Sequence, residues 1–115
     1  MKPHKYHAKA TTCGQGHGHP SKREAKRCDE LHLLLRGGVI DALVYEPQYW
    51  FDINGEQVKH PNGRRVGYKP DFGYVEKGKV VVEDVKSKAT MTTDAVLRMT
   101  LFRHLFPAVE LRVVN

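Results

Sequence analysis

The chain has 115 residues, 40% hydrophobic and 28% charged, and its 19 Lys plus Arg against 13 Asp plus Glu leave a net charge of +6. That length bounds it to one domain with one modest core, and that composition excludes a disordered polymer. A small basic domain, with a pI of about 9.4, points to an anionic partner, of which nucleic acid is the commonest.

No run of about 18 apolar residues is present, so no membrane span is expected. The start, MKPHKYHAK, has no apolar stretch behind its charges, so a secretory signal is not expected either. Two cysteines, Cys13 and Cys28, are too few for a disulfide scaffold, and a reducing cytosol is the expected compartment.

Residues 1–20 are rich in His, Lys and Gly and read as an irregular basic arm ahead of a domain over 21–115. Ser21-Lys22-Arg23-Glu24 fits a capping box, and Ala25, Cys28, Leu31, Leu34 and Leu35 recur at helical spacing up to Gly37-Gly38. A helix over 22–36 is predicted. Residues 42–53 are rich in β-branched and aromatic types and read as a strand with an edge or bulge at Pro47. Asn54-Gly55 and Pro61-Asn62-Gly63 are turns, and a second strand is expected over 65–76. Lys77-Gly78 makes a tight turn into a third strand, Lys79 to Ser87, whose Val80-Val81-Val82 run reads as buried on both faces. A polar loop over 88–93, a helix over 94–106 capped by Thr92 or Thr93, and a last strand from Val109 to Val114 complete a mixed α/β order: helix, three strands, helix, strand.

Two strands joined by the tight turn at 77–78 run antiparallel, and side chains two apart on a strand share a face. Asp84 and Lys86 therefore share a face, Glu83 and Val85 point the other way, and Asp71 can lie across from Asp84 and Lys86. Two converging carboxylates make a hard-oxygen site for Mg²⁺ or Mn²⁺, and a neighbouring lysine can stabilise charge on a phosphate under attack. The plainer reading is an exposed Asp–Lys ion pair and a Pro-Asp turn. Against it, charges that directly follow a buried valine run are costly unless they serve something.

Pro70-Asp71 followed by Asp84-x-Lys86 resembles the PD-(D/E)xK nuclease motif, and the element order is similar to that fold's core, a restriction-endonuclease-like α/β domain. Over 21–114, SKREAKRCDELHLLLRGGVI, EPQYWF, YKPDFGYVEKGKVVVEDVKS and VELRVV resemble a family of small phage-encoded proteins of this superfamily, related to phage endonuclease I and Holliday-junction resolvases. The resemblance implies that Asp71 and Asp84 ligate Mg²⁺ or Mn²⁺, that Lys86 is the catalytic lysine, and that Glu24 is an additional acid. It also implies a phage or prophage protein acting in the cytoplasm of a bacterial host. Glu24 has a second reading, in which it only completes the capping box with Ser21. Relatives tend to carry Gln-Pro where this chain has Glu46-Pro47 followed by Gln48, so either Glu46 or Gln48 faces the site.

Cys13, His17, His19 and Cys28 are a donor set sufficient for a tetrahedral Zn²⁺, although their spacing matches no regular finger. The alternatives are a flexible DNA-contacting arm and a Cys28 that is plain core. Lys22, Arg23, Lys26 and Arg27 give the first helix a basic face, and Arg64, Arg65, Lys69, Lys88, Arg98 and Arg103 add to the charge available for DNA phosphates. The loop 87–93 is expected to touch the backbone near the cut and to move in the absence of DNA. The sequence thus predicts a metal-dependent endonuclease for branched or structured DNA, or a nickase, acting as a homodimer where both strands are cut. The alternatives are a non-catalytic DNA-binding module and a zinc-stapled adaptor on the same fold.

Overall fold

The computed structural model describes residues 11–14, 18–19 and 21–115. β1 (Thr11–Thr12) and β2 (Gly18–His19) pair antiparallel, so the described part of the arm carries a small hairpin where an irregular segment is expected. α1 (Lys22–Arg36) follows with the predicted bounds. Its first turn is closed as the capping rule requires, the Ser21 hydroxyl accepting from the Glu24 N–H at 3.1 Å.

The expected strand over 42–53 is broken into β3 (Asp41–Tyr45), β4 (Tyr49–Trp50) and β5 (Asp52–Ile53). The cause is local: Glu46 takes a left-handed φ of 49°, and Pro47 has no N–H to give a ladder. β5 pairs with β6 (Glu56–Gln57) across Asn54-Gly55, both left-handed at φ 55° and 77°, the geometry a two-residue hairpin demands. The second expected strand is likewise two pieces, β7 (Gly67–Tyr68) and β8 (Phe72–Glu76), and Pro70-Asp71 sits in the bend between them. β9 (Lys79–Val85) follows the Lys77-Gly78 turn, α2 (Thr93–Leu105) is capped by Thr92, and β10 (Glu110–Val114) closes the chain.

The main sheet has the order β10-β9-β8-β3, with β3, β8 and β9 antiparallel and β10 parallel to β9. A parallel pair needs a crossover, and α2 supplies it. Alternation along β9 divides the core. Val81 packs with Ala25, Cys28 and Leu31 of α1, while Val82 packs with Met99 and Phe102 of α2, so the helices cover opposite faces. Val80 departs from the expected buried run: beside the turn it is 42% exposed. On the α2 face Tyr49, Tyr68 and Phe106 surround the fully buried Phe102 with ring centroids 4.9–5.2 Å apart. Fully burying the Phe102 ring is worth about 1.5–3 kcal/mol, and here the packing fixes where the Tyr68 hydroxyl ends. No helix among the described residues is long and apolar enough to cross a membrane.

Candidate active site

The alternation that sends Val82 toward α2 sends Asp84 the same way, while Glu83 turns toward α1. Glu83 is fully buried there, held by the Arg27 guanidinium through two 2.7 Å bonds and by the Tyr74 hydroxyl. Arg27 is therefore committed to ion pairs within the fold, to Glu83 at 2.7 Å and to Glu30 at 3.1 Å.

Asp84 is 4% exposed. Its Oδ2 accepts from the Tyr68 hydroxyl at 2.5 Å and lies 3.6 Å from Lys86 Nζ. Phe72 is in register with Glu83, and running that register on by one residue brings Asp71 opposite Asp84. The bend at Pro70-Asp71 aims the Asp71 carboxylate inward, where Oδ2 accepts from the Val85 N–H at 2.7 Å. Burial pushes the Asp71 carboxyl up to about 8, with the neighbouring Asp84 and Glu24 adding to the rise and the Val85 N–H opposing it. Burial and Asp84 also push the Tyr68 hydroxyl up, so it stays a proton donor across the physiological range. Lys86 follows the end of β9, its N–H bonded to the Val114 carbonyl at 2.8 Å.

Glu24 is buried in the first turn of α1, close enough to act on Asp71, yet it does not line the cleft onto which Asp71 and Asp84 open. Among the described residues no three His, Cys, Asp or Glu side chains converge as a metal-ligand group. The donor set is thus two carboxylates. That suits Mg²⁺ or Mn²⁺, which keep several waters and bind through one or two carboxylates plus substrate phosphate. The unfavourable contact of two buried acids is what a divalent cation relieves.

Asp71, Asp84 and Lys86 open onto a cleft of about 670 Å³. Arg64, Arg65, Lys69 and Arg98 line it too, whereas Lys22, Arg23, Lys26, Lys88 and Arg103 do not. Arg23, Lys26 and Arg27 instead border a separate hollow of about 320 Å³ beside Val114 and Asn115. Gln48 lines the main cleft, and Glu46 remains outside it, paired with Lys69 at 3.3 Å. The loop after β9 is closed on itself by Ser87 and Thr90, exposed over 88–92, and presents Thr90 and Thr92 to the cleft. Tyr68 and Trp50 were not marked by the sequence: no motif flags a tyrosine two residues before Pro-Asp, or a tryptophan inside an expected strand.

Of the arm's four candidate zinc ligands, Cys13 and Cys28 are both buried, the Cys13 thiol donating to the Cys28 sulfur at 3.3 Å with no disulfide between them. His17 lies outside the described residues, and only the backbone of His19 is described. His32 stands one helical turn beyond Cys28 on α1, its Nε2 on the Tyr45 hydroxyl.

The fold and the cleft define a mixed α/β protein, with two helices and several small sheets among the described residues. Residues 3–115 match the family described as "Protein of unknown function (DUF1064)", and the chain belongs to that family. No curated protein and no solved structure matches it.

Proposed function

We propose that this protein is a metal-dependent DNA endonuclease built on a restriction-endonuclease-like core. The observation that carries the reading is the meeting of Asp71, Asp84 and Lys86 at one cleft, with Asp71 held up to about 8 beside Asp84. The order α1, β3, β8, β9, α2, β10 with β10 parallel to β9 supports it.

In this reading Asp71 and Asp84 hold Mg²⁺ or Mn²⁺, which when bound supplies Lewis-acid polarisation of the scissile phosphate and a nucleophilic water at neutral pH. The Val85 N–H and the Tyr68 hydroxyl fix the two carboxylates. Lys86 Nζ neutralises charge that accumulates on the phosphate as it is attacked. Arg64, Arg65, Lys69 and Arg98 receive flanking phosphates, and Glu24 adds negative charge behind Asp71. The substrate is branched or structured DNA, or a site that is nicked, met in the cytoplasm of a bacterial host. One set of acids per chain cuts one strand, so a two-strand cut requires a homodimer.

The test is incubation with supercoiled plasmid and a synthetic four-way junction in Mg²⁺ or Mn²⁺, for wild type and Asp84→Ala. Cleavage by wild type alone is expected. No cleavage of either substrate by wild type, or equal cleavage by the variant, overturns the assignment.

A structural zinc is the second part of the reading, favoured by the 3.3 Å approach of Cys13 and Cys28. Two thiolates on a tetrahedral zinc with Zn–S of about 2.3 Å stand about 3.8 Å apart, within reach of the observed separation. Such a zinc would staple the β1–β2 hairpin onto α1.

A further inference from the structure

The chain's single tryptophan, Trp50, stands on the wall of the cleft that holds Asp71 and Asp84, and it is 44% exposed. Its setting is built. Trp50 pairs with Gly67 across β4 and β7, and a Cβ on Gly67 would come within 2.9 Å of the Trp50 ring and 2.4 Å of the Tyr49 carbonyl. Only glycine lets the indole lie against that backbone. The Gly67 carbonyl is in turn held by Arg98 from α2 at 2.7 Å, so the wall is tied to the helix.

Arg65 places its guanidinium carbon 4.9 Å from the Trp50 ring centroid. Its Nε is buried and has no hydrogen-bond partner among the described residues, and its salt bridge to Asp52 is long at 3.4 Å. An unpaired buried N–H is costly, so the cleft wall carries a cation that its own surroundings leave short of an acceptor.

An exposed indole backed by an arginine, beside further arginines, is the chemistry of single-strand binding: the ring stacks on a base and the cations track the backbone. Bases in a duplex are already stacked and present no free face to such a ring. We propose that Trp50 is a stacking platform for an unpaired base of the bound DNA strand, with Arg65 fixing the indole and meeting the adjacent phosphate. This deepens the nuclease reading and rests on it for the identity of the strand in the cleft. It makes the preferred substrate one that offers unpaired bases beside the cut: a fork, a flap or an opened junction.

Because Trp50 is the sole tryptophan, intrinsic fluorescence reads the site directly in wild-type protein, with EDTA present and no cleavage required. Titration with a single-stranded oligonucleotide or a fork should quench the emission and saturate. A blunt duplex of the same sequence and a base-free polyanion, dextran sulfate, should leave it nearly unchanged. In anisotropy measurements Trp50→Ala should weaken single-strand binding by about tenfold, with Trp50→Phe keeping most of it. Equal quenching by blunt duplex or dextran sulfate, or single-strand binding by anisotropy without quenching, overturns the proposal. Asp84→Ala separates the two readings: it should keep the quench while losing cleavage. A quench without cleavage by wild type sinks the nuclease and leaves the platform, and cleavage without a quench does the reverse.

Discussion

The Asp71 carboxylate accepts the backbone N–H of Val85 at 2.7 Å, so an acid from the bend before β8 caps the last ladder position of β9. That bond sets Asp71 beside Asp84, and it explains why a Pro-Asp bend, and not a continuous strand, serves the site. A regular strand through Pro70 would have to give Asp71 an ordinary cross-strand position. The bend frees its carboxylate to turn back to the neighbouring strand.

The stability of the metal-free protein should fall as pH rises from about 4 to about 8. Asp71 has an ordinary value of 3.8 and is held up to about 8 in the fold. Between those values the folded state binds more protons than the unfolded one, so each step up in pH favours unfolding. Below about 4 both states are protonated, and the contribution is fully present. Asp71→Asn, neutral throughout, should remove this slope and at pH 8 raise Tm by about 4–8 °C for each kcal/mol recovered. Melts at pH 5 and pH 8.5 in EDTA check this. Mg²⁺ at pH 8.5 should raise the Tm of wild type and leave Asp71→Asn unmoved.

Lys86→Met should lower cleavage by about 10²–10³-fold, the cost of losing one preorganised group that meets developing charge. Its N–H would still bond the Val114 carbonyl, so the melting curve should hardly change. Binding of a nicked or forked oligonucleotide in EDTA should persist, since the Nζ sits beside Asp84 and the flanking phosphates fall to the arginines. Single-turnover rates set against anisotropy distinguish a chemical role from a binding one.

The order of the main elements was legible because each carried a local signal: Ser21 with Glu24 for α1, Asn54-Gly55 and Lys77-Gly78 for the hairpins, Thr92 for α2. The Asp84 and Lys86 pairing was legible too, since it needs only strand alternation and one tight turn. The breaks at Glu46 and Pro70 were not. Their aromatic and β-branched surroundings read as continuous strand, and tertiary bonds such as Glu46 N–H to the Asp71 carbonyl decide otherwise. Arg27 shows the same limit. Its position on the helix surface suggested a DNA contact, and only the burial of Glu83 on the opposite strand face reveals its partner. Trp50 and Tyr68 become site residues through the β4–β7 pairing, which brings together two segments with a hairpin and a loop between them.

Metal analysis of purified protein should find zinc bound near Cys13 and Cys28, and Cys28→Ala should lose it. Burial and the nearby Cys13 push the metal-free Cys28 thiol up to about 12. Zinc needs the thiolate, so binding must release protons and weaken as pH falls. Zinc retention measured from pH 8 down to pH 5 should decline steadily. Protein free of zinc at pH 8, with two thiols that titrate on unfolding, would remove the staple and leave the cleft chemistry untouched.

Arg27→Ala should be among the most destabilising substitutions in the chain, at about 3–5 kcal/mol, because it leaves the fully buried Glu83 carboxylate without its guanidinium. The Tyr74 hydroxyl alone cannot compensate a buried charge. Arg27→Met together with Glu83→Gln should recover much of the loss, since the charge is removed and the amide oxygen still accepts from Tyr74. Both melts are needed, because the double variant separates the value of the pair from the penalty of orphaning one member. Since Glu83 faces α1 and Asp84 faces α2, the double variant should keep the Asp71–Asp84 cleft and any activity it supports. If it folds but loses Mg²⁺-dependent cleavage, the two faces of β9 are coupled more tightly than their alternation implies.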